Sequence, residues 1–379
     1  MKIRILNKLQ VDQVLKAVIP CAKKKDDLYP FTESKPTGLI PVMGKPLVKH
    51  IIYNLQELGV DDIYLITNHL EDEFADIFEE YTNVNLIHQE HPTGTADALE
   101  LCSFIDDDFF VVNGDVIVSE EDLKALKQKH KDSESDATIL ATEQNKPEKF
   151  GVLSITNDRV KSLEEKPEEA ENPLVNTGIY IFKPSVFNAI ENAGTSDLTD
   201  AVKQLVDEND VRFEIAQKYW IDINSPKKLW KADQIKRTNE ITEKSISDEA
   251  EIHEDASITG NVRVEPKAEI KAGTVIEGDT YIGEEAVIGP NTTVKDSTVG
   301  KKSQVRHCAI EEVLTFEKTI VDPNVFIEQS ILGEETDVLS NTAIRESFIG
   351  PRSYIEINNS IRGVKFVPDA RTDLSEISK

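Results

Sequence analysis

EIHEDASITGNVRVEPKAEIKAGTVIEGDTYIGEEAVIGPNTTV, residues 251–294, carries Ile or Val at every sixth position: Ile252, Ile258, Val264, Ile270, Ile276, Ile282, Ile288 and Val294. A period of six falls out of phase with a helical turn but is a whole number of strand alternations, so the stripe requires a coil of short strands. In a chain that is 39% apolar, eight such hits from a chosen start would occur about once in two thousand. One coil cannot enclose its own apolar face, so the coils must stack. Past Val294 the spacing slips and resumes, from Val299 to Val305, Val321 to Ile327, Val338 to Ile344, and Ile349 to Ile355 to Ile361. The slips predict corner loops or insertions, with EEVLTFEKTIVDPN (311–324) foremost.

The repeat occupies only the last third of 379 residues, which divides the chain into a first domain over 1–240 and a repeat domain over 245–365. Seventy acidic against 43 basic residues give a formal charge of −27. That field repels nucleic acid and anionic membranes, so neither is an expected partner. Cys21, Cys102 and Cys308 are odd in number and widely spaced, fitting neither a disulfide framework nor a zinc motif. They suit a reducing cytoplasm. The opening MKIRILNKLQVDQVLKAVIP has no signal-peptide core, and no stretch reaches the length of a membrane span. Cytoplasmic localisation is the expectation.

In the first 230 residues, apolar strands alternate with helical patterns. KAVIP (16–20) reads as a buried strand; LVKHIIYNLQELG (47–59) sets Leu47, Ile51, Leu55 and Leu58 on one helical face; DIYLITN, NVNLIHQ and DFFVVNGD read as further strands. This is the pattern of an α/β fold, an open, mostly parallel, Rossmann-like sheet with helices on both faces and ligands at the carboxyl ends of its strands. The later motif AVIGPNTTV (286–294) resembles the hexapeptide-repeat family, whose chains wind into a left-handed parallel β-helix of triangular section. Its flat aliphatic sides and open ends imply a homo-oligomer, dimeric or trimeric, through residues 245–365.

LYPFTESKPTGLIPVMGKPLVKHIIYNLQELGVDDIYLITNH (28–69), QEHPTGTADAL (89–99), FFVVNGD (109–115), KFGVLSI (149–155), SLEEKP (162–167), LVNTGIYIF (174–182) and KYWIDINSPKKL (218–229) follow one another in a characteristic order. In that order and spacing they resemble the sugar-1-phosphate nucleotidyltransferases, mannose-1-phosphate guanylyltransferases and archaeal bifunctional enzymes included. The resemblance implies condensation of a nucleoside triphosphate with a sugar 1-phosphate, releasing pyrophosphate. It places Mg²⁺ on Asp115 and Asp222, a hard ion on carboxylate oxygens. It places the base and ribose at Gln89, Gly94 and Thr95, the sugar at Glu165, Asn176 and Gly178, and the sugar phosphate at Lys166. Each position also has an ordinary structural reading, such as a strand-end turn at Asp115, a helix cap at Thr95 or an exposed ion pair at Glu165 and Lys166.

One stretch departs from the family pattern. Where relatives carry a phosphate loop G-x-G-T-R-L, this chain has Lys23, Lys24, Lys25, Asp26, Asp27 and Leu28, and a later family lysine is Thr37. Three readings follow. Lys23, Lys24 and Lys25, with Lys35, replace the lost positive charge and the protein is an enzyme. Alternatively it is a noncatalytic homologue that binds a nucleotide-sugar and regulates or scaffolds a partner. In the third reading the β-helix adds acyltransferase chemistry, for which His253 and His307 are the histidines in the repeat, His307 reading better as a polar corner residue.

Overall fold

The computed structural model describes residues 15–23, 26–133, 135–208, 210–372 and 377–378. Two compact units share them. One holds the described residues up to 23 together with 48–222; the other holds 24–47 together with 223–379.

In the first unit Leu15–Pro20 is the middle strand of a sheet. It lies parallel to Val60–Thr67 on one side and to Phe109–Val112 on the other, and Val84–His88 continues the parallel set beyond Val60–Thr67. Four parallel strands bring their carboxyl ends to one edge. Ala17, Val18, Ile19 and the whole of Phe109–Val112 are buried, the continuous apolar runs expected of strands covered on both faces. Beyond Phe109–Val112 the sheet changes direction. Leu174–Phe182 runs antiparallel to it and to Ala137–Glu143, while the hairpin of Gly151–Thr156 and Arg159–Glu165 extends that side. Val211–Ile215 closes parallel on Ala137–Glu143. A separate two-stranded ladder pairs Val116–Val118 with Trp220–Asp222.

The second unit is a three-sided parallel β-helix, its sheets containing nine, seven and seven strands among the described residues, all parallel except Ile377–Ser378, which lies antiparallel at the end of the first sheet. The sixfold stripe becomes columns. Ile252, Ile270, Ile288, Val305, Val321, Val338 and Ile355 align on one face. Ile258, Ile276, Val294, Ile310, Ile327, Ile344 and Ile361 align on a second. The slips in spacing are shortened coils: Ile270 meets Ile288 eighteen residues on, whereas Val338 meets Ile355 after seventeen. A residue removed at a corner leaves the strand phase intact, so the inward set survives. The insertion expected in 311–324 is therefore absent. Leu314–Thr315 and Ile320–Val321 pair in register with their neighbours, and Glu312, Lys318 and Asn324 turn the corners at φ 53°, 56° and 62°.

Those left-handed corners recur up the helix. Asn291, His307, Asn324, Asn341 and Asn358 all have φ between 47° and 62°, a region in which asparagine is favoured among residues other than glycine. The Asn324 amide donates to Asn341, and Asn341 to Asn358, at 3.3 and 3.2 Å. His307 is a corner residue.

Outward positions of the nine-stranded sheet are buried at Tyr281, Thr298, Leu314 and Ile331. Segment 26–47 and the helix Pro226–Glu240 pack on this side within the same unit. Phe31 packs on Phe316 with ring centroids 5.2 Å apart, and Trp230 Nε1 donates to the Glu312 carbonyl at 2.7 Å. Gly44, at φ 69°, lies flat against the Tyr281 ring where any Cβ would collide. Asp233 anchors the arrangement, accepting from the Met43 amide at 2.7 Å, the Thr298 hydroxyl at 2.9 Å and Arg237 Nε at 2.9 Å.

Stacking makes a middle coil more sensitive than an end coil. Ile288→Ala, at a fully buried site, should cost about 2–5 kcal/mol. Ile252→Ala, on an end coil and 37% exposed, should cost far less. Urea unfolding of both variants measures the contrast, and equal losses would refute nearest-neighbour stacking.

Candidate active site at the strand ends

Backbone hydrogen bonds stitch the carboxyl ends of the parallel strands into one row. The Cys21 amide donates to the Ile66 carbonyl at 2.8 Å, the Gly114 amide to the Pro20 carbonyl at 3.1 Å, and the Gln89 amide to the Thr67 carbonyl at 2.8 Å. Lys23 follows as an exposed residue in a bend; Lys24 and Lys25 lie outside the described residues. Gly114 is required here, because a Cβ would run into the Cys21 sulfur. Burial, with the charge of Asp115 adding to it, pushes the Cys21 thiol well above its ordinary range. It remains a neutral packing group.

Asp115 and Asp222 come from distant parts of the chain, and the short ladder brings their stretches of backbone together. Asp222 pairs with Val116, the residue after Asp115. Among the described residues no group of three or more Asp, Glu, His or Cys forms a metal cluster. Two carboxylates offer hard oxygen donors, and a Mg²⁺ ion that retains waters and takes up phosphate oxygens suits that set.

Gln89 is buried, its side-chain amide donating to the Gly94 carbonyl at 3.4 Å. Gly94 has extended backbone, and the space beside its Cα is filled by the Ser196 backbone, so this glycine is needed for packing. The helix Thr95–Glu100 begins one residue later, with Gly94 rather than Thr95 at the cap position and no side-chain cap bond.

On the antiparallel side Gly178 has φ 76°, and a Cβ there would strike the Asn113 side chain. Asn176 accepts the Gly178 amide at 3.0 Å and donates to the Tyr180 hydroxyl at 2.6 Å, which holds the strand's irregularity in place. Glu165 Oε2 stands 2.9 Å from where a Cβ on Gly151 would lie, and Asn176 Cβ stands 3.6 Å from it, so Glu165 and Asn176 border one glycine. Lys166 turns away from the strand at φ 46° and pairs with Glu165 at 3.3 Å, with its own side chain largely exposed. Tyr180 escaped the sequence reading because an aromatic within an apolar strand looks like core. Its polar bond to Asn176 sets it apart.

Residues of the altered loop follow a different course. Lys35, expected to supply charge for phosphate, pairs instead with Glu317 at 3.2 Å in the β-helix unit. Asp27 lies in the 3₁₀ turn Asp26–Leu28 of that unit, and its charge acts on Lys365. Thr37 is buried, and its hydroxyl has no hydrogen-bond partner among the described residues.

An open α/β sheet with carboxylates and amides along its strand ends, continued by a parallel β-helix, defines the class of two-unit chain to which this one conforms. It belongs to the nucleotidyl transferase family: residues 25–239 match the model described as Nucleotidyl transferase, and 240–364 match the GMPPB C-terminal domain. It is 35% identical over 217 residues to a Bifunctional protein GlmU of Methanocaldococcus jannaschii, covering 55% of this chain and 51% of the relative. It is 33% identical to Mannose-1-phosphate guanyltransferase 2 of Candida glabrata, covering 53% and 58%. Thus the chain spans about half the length of the curated relatives it matches. A solved structure assigned as a glucose-1-phosphate thymidylyltransferase of Bacillus anthracis superposes with a TM-score of 0.54 at 27% identity, covering 58% of this chain and 94% of that one.

The left-handed backbone at Gly178 gives a direct test. Gly178→Ala should lose at least about 1–2 kcal/mol in urea unfolding, since both the dihedral and Asn113 oppose a Cβ. An unchanged midpoint would mean that the strand irregularity relaxes freely.

Proposed function

We propose that the protein is a sugar-1-phosphate nucleotidyltransferase. An oxygen of the sugar 1-phosphate attacks the α-phosphorus of a nucleoside triphosphate in line; the bond from that phosphorus to the bridging oxygen breaks, and pyrophosphate leaves. The observation that carries the reading is the short ladder that sets Asp222 opposite Val116, beside Asp115, at the edge where the parallel strands end. Bound Mg²⁺ would neutralise charge on the phosphate oxygens, and Asp115 and Asp222 would hold it. The remaining residues position the reactants: Gln89, Gly94 and Thr95 at the base and ribose, Glu165, Asn176 and Gly178 at the sugar, Lys166 at its phosphate, and Lys23, Lys24 and Lys25 at the departing pyrophosphate. Relatives named for mannose 1-phosphate and glucose 1-phosphate put hexose 1-phosphates first among substrates to try.

A second reading, a noncatalytic nucleotide-sugar binder, is favoured by the pairing of Lys35 with Glu317 and by Asp27 in place of the family arginine. Incubation with Mg²⁺, the common nucleoside triphosphates and a panel of hexose 1-phosphates separates the two. The enzyme releases pyrophosphate from at least one pair; a binder is stabilised by a nucleotide-sugar and releases none. For the enzyme, Asp222→Asn should reduce turnover by about 10²–10³-fold, the usual loss when a key electrostatic contact to the reacting group is removed. Replacing Lys23, Lys24 and Lys25 together by Ala should abolish it.

Assembly belongs to the same proposal. Val275, Ala309, Phe326 and Ala343 occupy outward, partly exposed positions on one β-helix face, beside an outward column of charged residues, Glu277, Lys295, Glu311, Glu328 and Arg345. We expect a homo-oligomer, a dimer or trimer, through residues 245–365. Sedimentation of the full chain at micromolar concentration should give such a species, and a monomer there would remove the proposal. No helix among the described residues is long and apolar enough to cross a membrane.

A further inference from the structure

The helix Glu120–Ser133 opens with an acidic first turn, and its third residue, Asp122, is almost wholly buried. Part of a capping box is present: the Asp122 amide donates to Ser119 Oγ at 3.0 Å. In the usual box the third residue's side chain returns to the amide of its own cap. Here the Ser119 amide donates instead to the Tyr219 carbonyl at 3.2 Å, and the Asp122 carboxylate reaches the same segment. Its Oδ1 accepts the Gln217 amide at 2.7 Å; its Oδ2 accepts the Lys218 amide at 3.2 Å and the Ser119 hydroxyl at 2.7 Å.

Two residues further on begins Trp220–Asp222, a strand of three residues paired antiparallel with Val116–Val118. Three pairs define register weakly. A slip by one residue would turn every side chain of the strand to its other face, the Asp222 carboxylate included. Asp122 and Ser119 fix the chain at 217, 218 and 219, immediately ahead of that ladder, so the strand enters it in one register.

We infer that Asp122 is a positioning residue for the metal-binding pair, acting through the backbone of Gln217 and Lys218 to set where Asp222 stands beside Asp115. The inference rests on the functional reading above. Removing an outer partner of a metal ligand commonly weakens metal affinity by about 10–100-fold. The same effect is expected here, with the sugar-phosphate requirement little altered.

The test uses full-length Asp122→Asn and Asp122→Ala, the Asn variant retaining an oxygen acceptor in case Ala does not fold. Two quantities are followed: amide hydrogen exchange of residues 217–222, and the Mg²⁺ concentration for half-maximal pyrophosphate release. Both variants should exchange faster over 217–222 and need about tenfold more Mg²⁺, with the sugar 1-phosphate KM within twofold. Thr138→Val, which removes a buried hydroxyl bonded to His130 near the other end of the same helix, controls for general loss of stability. It should lower Tm and leave the Mg²⁺ requirement unchanged. Wild-type release of pyrophosphate with unaltered exchange or unaltered Mg²⁺ requirement in the Asp122 variants overturns the inference alone. A Thr138→Val shift matching that of the Asp122 variants overturns it as well. Wild type without Mg²⁺-dependent release overturns the functional reading and the inference with it.

Discussion

A single buried carboxylate organises the β-helix unit. Asp233 gathers the Met43 amide, the Thr298 hydroxyl and Arg237 Nε, joining a loop, a helix and a β-helix strand that are far apart in sequence. Both charges are almost wholly out of water. A buried ion pair contributes little over a well-packed apolar substitute, but removing one member leaves an uncompensated charge and commonly costs about 3–5 kcal/mol. Its value lies in specificity. The hydrogen bonds are directional, so the helix Pro226–Glu240 and residues 41–46 dock on the sheet in one arrangement, and Tyr281, Leu314 and Ile331 can then be apolar on an outward face.

The period of six was legible because inward-facing positions of a stacked coil are filled mostly by Ile, Val and Leu, with few departures such as Thr315 and Phe366, and a single sequence exposes that restriction. Corner chemistry was less legible. A shortened turn changes the count without changing which residues face inward, so Val299, and the residues after Val305, looked like a broken pattern although the ladder is continuous. The outward wall at Leu314 and Ile331 was invisible for a related reason. What packs on that side comes from residues 26–47 and the helix Pro226–Glu240, which no local periodicity connects with the repeat.

At the strand ends, sequence order located Asp115, Gln89 and Gly178 because each follows or interrupts an apolar run. Pairing them with partners needed the fold. The spacing between Asp115 and Asp222 carries no sign that a ladder of three residues would unite them. At Gly94 the Ser196 backbone fills the space a Cβ would take, a packing demand that only the fold displays. Lys35 looked available for phosphate because charge in a sequence has no visible partner until Glu317 is placed beside it. Asp122 went unnoticed, since an acidic residue in a helix's first turn is ordinary and only its bonds to Gln217 and Lys218 distinguish it.

The order in which the chain visits its two units has a consequence for inheritance. Residues 48–222 form one continuous stretch, flanked on both sides by residues of the β-helix unit. A recombination event with one crossover near residue 240 would hand a foreign β-helix a coat cut for a different wall: Phe31 without its Phe316, Asp233 without a matching Thr298. Exchange of the whole α/β unit between relatives is therefore cleanest with three junctions, near 23, 47 and 222, because the strand Leu15–Pro20 precedes residues 24–47. Residues 24–47 are then expected to vary in step with the repeat rather than with the sheet beside which they are written.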